Sequence, residues 1–119
     1  MRNWNGSRTL RAGWLTVCLL LSLVVHADDG ITPKQILIGQ TLTLQSGAND
    51  YGVAVSEGVS AALEQTNRAG GVLGRQIVLT VLDDDNKSEL AEANARRLVA
   101  QDKVFLLFGP IEGGPSTAV

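Results

Sequence analysis

The chain is nearly without the side chains on which most enzymes depend. Its 119 residues include one cysteine, Cys18, and one histidine, His26. Both lie in a leading stretch of 27 residues that reads as an export signal. With that stretch removed, no disulfide, thiol nucleophile or thiolate metal site can form. The commonest general base and metal ligand is lost as well. Aromatic residues make up 4% of the sequence, and Tyr51 is the single tyrosine. No Gly-x-Ser-x-Gly elbow is present to present a hydrolase nucleophile. No glycine-rich loop closes on Gly-Lys-Ser/Thr, as a phosphate-cradling P-loop requires. No apolar run reaches the length of about 20 residues that spans a bilayer.

The leading stretch has the anatomy of a signal peptide. Arg2, Arg8 and Arg11 form a positive region, Trp14 to Val25 an apolar run, and Val25-His26-Ala27 a cleavage site. Cleavage is expected after Ala27, with an uncleaved anchor as the alternative. No Arg-Arg pair precedes the run, which argues against twin-arginine export, and Val17 before Cys18 argues against a lipoprotein site. Cleavage would take the formal charge from −2 to −5. A negative surface argues against nucleic acid and anionic lipid as partners. The division expected is a signal over 1–27, a short extension over 28–33, and an α/β domain over 34–119. Pro115-Ser116-Thr117-Ala118-Val119 reads as the opening of a further helix, so the chain reads as the front of a longer protein.

What is present is an alternation of periods. Ile36-Leu37-Ile38-Gly39-Gln40-Thr41 predicts a strand buried on both faces, continued by Leu42 and Leu44. Gln45 to Tyr51 is a polar loop. A helix is expected from about Gly52 to Ala69, with Val55, Val59, Ala62, Leu63 and Thr66 on one face. Gly70-Gly71 ends it, because glycine accepts the left-handed conformation beyond a helix. The turn through Val72-Leu73-Gly74-Arg75 carries an apolar plug. Gln76 to Leu82 is a second strand. Ser88 is expected to cap a helix over about Glu89 to Gln101, with Ala91, Ala95, Leu98 and Val99 inward. Val104 to Phe108 is a third strand. Strands so spaced, with helices between, require parallel pairing and right-handed crossovers. The fold class is therefore a three-layer α/β arrangement, a parallel sheet of order 2-1-3 with flanking helices. In such a sheet ligands sit where the crossovers diverge, beyond the carboxyl ends of strands 1 and 3. The loops there are Gln45–Tyr51 and Pro110–Pro115.

The candidate residues follow from that position. Ser46 is a small donor at the end of the central strand, with turn formation as the plainer alternative. Tyr51 joins an apolar ring to a polar tip, a combination common in small-molecule clefts, with packing at the helix start as the alternative. Gly113 and Gly114 expose backbone N–H groups at a helix start, able to hold a carboxylate, or serve a tight turn. Ser116 is a ligand donor or a helix cap. Asp83-Asp84-Asp85 suggests a magnesium or phosphoacceptor site, but a solvated strand end with one Asp in a turn or cap fits better. The residues require no cofactor and no metal.

Several of these segments resemble the periplasmic solute-binding proteins of ABC transporters, in the leucine/isoleucine/valine-binding (type I periplasmic binding) family. The resemblance rests on Ile36-Leu37-Ile38-Gly39-Gln40 with Ser46-Gly47 and Tyr51-Gly52; on Asn67-Arg68-Ala69-Gly70-Gly71-Val72-Leu73-Gly74-Arg75; on Ile77 to Asp84; and on Lys103-Val104-Phe105-Leu106-Leu107-Phe108-Gly109-Pro110. It implies two α/β lobes closing on a small polar ligand such as an amino acid, a membrane permease as partner, no enzymatic activity, and a periplasmic location. The chain would hold the start of the first lobe. The family often has Ser or Thr in the loop after strand 3; here Gly113 and Gly114 stand there, and Ser116 or Thr117 lies one or two places on. Glu112 at the rim suits a cationic or polar ligand. Two other readings stay open: the ligand-binding part of a receptor, and an exported α/β enzyme whose catalytic residues lie beyond Val119.

Overall fold

The computed structural model describes residues 28–119; the signal segment and its cleavage site lie outside the described residues. The elements run β1 (Gln35–Leu42), α1 (Asp50–Arg68), β2 (Gln76–Asp83), α2 (Ser88–Ala100), β3 (Leu106–Leu107) and α3 (Gly113–Ala118), with a 3₁₀ turn at Gln45–Gly47. The sheet has the order β2-β1-β3 and both pairings are parallel, as the spacing of the strands predicts.

Centrality explains the composition of β1. Every residue from Ile38 to Thr43 is buried, because a strand with neighbours on both edges and a helix on each face has no solvent side. It pairs with β2 over its whole length, from Gln35 opposite Gln76 to Leu42 opposite Asp83. Leu98 of α2 is fully buried and packs on Gly39, where an added Cβ would lie 3.0 Å from Leu98 Cδ2. Truncating such a leucine to alanine costs about 2–5 kcal/mol.

Helix α1 is closed at both ends by its own sequence. Asn49 is the N-cap, its side-chain oxygen accepting the Gly52 N–H. Gly52 is buried against β1, and a Cβ there would sit 1.9 Å from the Thr43 carbonyl oxygen, so only glycine allows this approach. At the other end, Gly70 N–H donates to the Asn67 carbonyl (3.1 Å) and Gly71 N–H to the Thr66 carbonyl (3.0 Å). This bond pair, with Gly70 at φ +106°, is a complete Schellman motif.

Several expectations are corrected. Helix α1 begins at Asp50 rather than Gly52, so Tyr51 lies in its first turn and not in the loop. Ala62 is exposed, leaving Val55, Val59, Leu63 and Thr66 half-buried along the packed face. Leu73 is no plug: it is 89% exposed, at the tip of a two-residue turn closed by paired bonds between Val72 and Arg75. Ser88 is the first residue of α2, not its cap; Lys87 holds the cap position without a side-chain bond. Val99 lies outside the inward stripe of Ala91, Ala95 and Leu98. β3 pairs over two residues, not five. The Phe105 N–H reaches the Leu37 carbonyl and the Phe108 N–H the Gly39 carbonyl. Between these flanking bonds the chain advances three residues, 105 to 108, against two on β1, so the regular ladder does not extend beyond Leu106–Leu107.

Candidate functional site

The carboxyl ends of the strands carry a layered polar structure. Its base is Asp84, buried and accepting from the Thr41 hydroxyl (3.1 Å) and the Thr43 hydroxyl (2.6 Å). Asn94 of α2 donates to Thr41 Oγ1 and to the Asp83 carbonyl. Every oxygen of the Asp84 carboxylate has a donor, as burial of a charge demands.

Asp83 organises the loop above it. Its Oδ1 accepts the N–H groups of Leu44 (3.0 Å), Gln45 (3.1 Å) and Asp85 (2.9 Å), and its Oδ2 that of Ser46 (2.8 Å). The loop can aim successive N–H groups at one point because Gln45 and Ser46 both adopt positive φ, 50° and 54°. Burial pushes the Asp83 carboxyl up, but the four donors outweigh it and hold the pKa below the ordinary carboxylate value. The Asp triplet is therefore a structural strand end. Asp83 and Asp84 are engaged internally, and Asp85 pairs with Lys87 Nζ at 2.5 Å. Among the described residues no three His, Cys, Asp or Glu side chains gather as a metal site would require.

The loops after β1 and β3 lie side by side. The Asn49 amide nitrogen donates to Glu112 Oε1 at 3.3 Å, while the Asn49 oxygen caps α1. These two partners fix the orientation of the amide. Beneath them, the Gln40 amide nitrogen donates to the Gly109 carbonyl at 2.9 Å, tying the central strand to the root of the β3–α3 loop. Gln40 is 1% exposed, and its Oε1 is buried with no donor among the described residues. An unmatched buried acceptor costs about 1–3 kcal/mol.

The expected site residues fall around this junction in different ways. Ser46 spends its backbone N–H on Asp83, and its side chain is exposed. Tyr51 is 62% exposed, so its ring is not part of the core. Gly113 and Gly114 are exposed in the first turn of α3, and Ser116 lies inside that helix, its N–H donating to the Glu112 carbonyl. Glu112, not Ser116, holds the cap position. Sequence reasoning placed Glu112 at the rim but missed Asn49 and Gln40. For Gln40 a signal existed: an amide in the middle of an apolar strand. A groove of about 570 Å³ also opens between α2, β3 and α3, lined by Ala95, Val99, Leu107 and Val119 among others. It is apart from both loops. Its two charged residues, Glu92 and Arg96, bond to each other.

Comparison with known proteins agrees with this architecture. Residues 35–119 match the model of the family described as periplasmic binding protein. The chain is 30% identical over 109 residues to a Leu/Ile/Val-binding protein of Rhizobium johnstonii, covering 88% of this chain and 28% of that protein. It is 42% identical over 94 residues to an amino acid binding protein of Pseudomonas aeruginosa, covering 76% and 25%. Among solved structures it is similar to the branched-chain amino acid transporter substrate binding protein of Streptococcus pneumoniae in complex with isoleucine. The TM-score there is 0.67 at 32% identity, over 71% of this chain and 24% of that one. The chain thus spans about a quarter of the length of the curated relatives it matches. No helix among the described residues is long and apolar enough to cross a membrane. With a family match running from the first residue of β1 through α3, on a parallel sheet of the expected order, the chain belongs to the periplasmic binding protein family.

Proposed function

We propose that this chain forms the opening part of the first lobe of a solute-binding protein that captures a small polar ligand, such as an amino acid, for uptake by an ABC transporter. The observation that carries the reading is the contact between Asn49 and Glu112, which joins the β1–α1 and β3–α3 loops at the divergence point of a 2-1-3 sheet. Parallel sheets receive ligands at that point. The names of the relatives, which bind amino acids or serve as transporter substrate-binding proteins, support the same reading. Ser46 and Tyr51 would supply side-chain contacts from the first loop and the start of α1. Gly113, Gly114 and Ser116 would supply donors from the second. Residues supplied by an opposing lobe would complete the enclosure as the lobes close. The role is binding without catalysis, the partner a membrane permease, and the location the periplasm, reached by a signal cleaved after Ala27.

A thermal-shift screen of the full-length protein tests this. The panel is amino acids, amides, small carboxylates and amines. A ligand that binds only the folded state raises the melting temperature by mass action. At least one class is expected to raise it in a saturable way, with a calorimetric Kd to match. A panel in which no compound does so would sink the reading.

A further inference from the structure

At the sheet's carboxyl edge the first loop has spent its N–H donors internally, and the second loop carries a carboxylate with an unpartnered oxygen. In the first loop, the N–H groups of Leu44, Gln45 and Ser46 are already taken by Asp83. In the second, Glu112 presents a carboxylate for which Asn49 is the single donor among the described residues, and that bond uses Oε1. Oε2 has no partner there. Below it, Gln40 Oε1 is a second acceptor without a donor, on a side chain that is 1% exposed and whose head group reaches the first residue of the same loop.

The surrounding charge has one sign. Asp50, Asp83, Asp84 and Asp85 stand at this edge, and the cation nearest them in sequence, Lys87, is committed to Asp85. The other cations are placed elsewhere. Lys34 and Arg75 flank the amino ends of β1 and β2, Arg75 donating to the Thr32 carbonyl. Lys103 precedes β3 and faces Asp29, and Arg68 pairs with Glu64 at the far end of α1. Negative charge is therefore concentrated at the ligand edge, while the cations of the opposite edge stand among Glu64, Asp29 and Asp102. Such a field concentrates cations at the notch and repels anions.

We infer that the notch selects a small organic cation with several N–H donors, such as an amine or a guanidinium, with Glu112 Oε2 pairing its charge and Gln40 Oε1 accepting a further N–H. This deepens the binding role proposed above and rests on it. A branched aliphatic side chain would leave both acceptors without donors, which is how a polar site rejects an apolar analogue.

The test is calorimetric titration of full-length protein with arginine, agmatine and putrescine on one side and leucine, isoleucine and valine on the other. Wild type is expected to bind at least one cation more tightly than any of the three aliphatic amino acids. Glu112→Gln retains the shape and the Asn49 contact but removes the charge; it should weaken the cation about 10- to 100-fold. Gln40→Met, similar in size and without the amide oxygen, should also weaken it, with circular dichroism confirming the fold. Preference for leucine, isoleucine or valine would overturn the inference and leave the binding role standing. So would a ligand found only among neutral amides or carboxylates. Unchanged cation affinity in Glu112→Gln or in Gln40→Met would remove that residue from the site. Absence of any ligand across the wider panel would overturn the binding role and this inference together.

Discussion

Asp83 Oδ2 lies 2.8 Å from the backbone nitrogen of Ser46, and through this bond the end of β2 shapes the loop that follows β1. Three more N–H groups converge on the same carboxylate. The loop therefore wraps around an internal anion, and a ligand carboxylate cannot use those donors.

Asp83→Asn replaces an acceptor-only group by one that turns an NH₂ toward N–H donors. Hydrogen bonds to a charged group contribute about 1.5–3 kcal/mol each, and the variant should lose about 1–3 kcal/mol in urea unfolding at pH 7. The pH dependence has a definite sign. Because the folded-state pKa of Asp83 lies below its ordinary value, the unfolded chain takes up this proton first as pH falls. The contribution is fully present above about pH 3.9, the usual Asp value, and is lost as pH drops through the folded pKa. Wild type should lose more stability than Asp83→Asn across that acid window. Parallel losses would remove Asp83 as the anchor.

Asn67 guards the outer edge of the sheet. Its amide nitrogen donates to the Ile77 carbonyl and its oxygen accepts the Ile77 N–H, both at 2.8 Å. One side chain thus imitates a neighbouring strand on β2, which has no other strand on that side among the described residues. Asn67→Ala should cost about 1–3 kcal/mol, and amide exchange at Ile77 should accelerate more than at Leu79. Asn67→Asp should fail to rescue, since it cannot donate to the Ile77 carbonyl. Full stability in Asn67→Ala would show the pairing to be dispensable.

Leu73 occupies a position made for another residue. Leu73 and Gly74 both have positive φ, 51° and 78°, the pattern of a type I′ turn that favours Asn-Gly. A side chain with a Cβ pays about 1–2 kcal/mol in the left-handed region, and asparagine pays less. Leu73→Asn should raise stability by several tenths of a kcal/mol to about 1 kcal/mol, since an 89% exposed leucine gives up no packing. A fall in melting temperature would mean that Leu73 has a contact outside the described residues.

These residues also show which features were legible in the sequence. The strand order and crossovers followed from hydrophobic period and spacing, because β1 is apolar through Ile36-Leu37-Ile38 and α2 repeats Ala91, Ala95, Leu98. The glycine stop after α1 was legible because φ > 0 restricts residue choice. The boundaries of β3 were not, since an apolar run such as Val104–Phe108 says nothing of a break in the ladder. The roles of Asp83, Asn67 and Asn49 were illegible for a shared reason. Each acts on backbone groups far away in sequence or around a turn, and residue type alone names no such partner. Proximity of the two loops was implied by topology, whereas the Asn49–Glu112 bond that joins them required coordinates.

Tyr51 and Ser46 separate binding from folding more cleanly than any other pair. Tyr51 is 62% exposed in the first turn of α1, so Tyr51→Ala should change stability by no more than about 0.5 kcal/mol. Loss of an aromatic contact in a cleft should nevertheless weaken ligand about tenfold. For Ser46, alanine is the direct probe, because serine already carries a Cβ at φ 54° and alanine leaves that backbone strain unchanged. Ser46→Ala keeps the N–H that Asp83 requires and deletes only the hydroxyl. Titration of the screened ligand should show weaker binding with an unchanged melting temperature for the free protein. If both variants bind as wild type does, the ligand contacts on this side come from Glu112 and the α3 turn, and the first loop serves only as the wall that Asp83 holds in place.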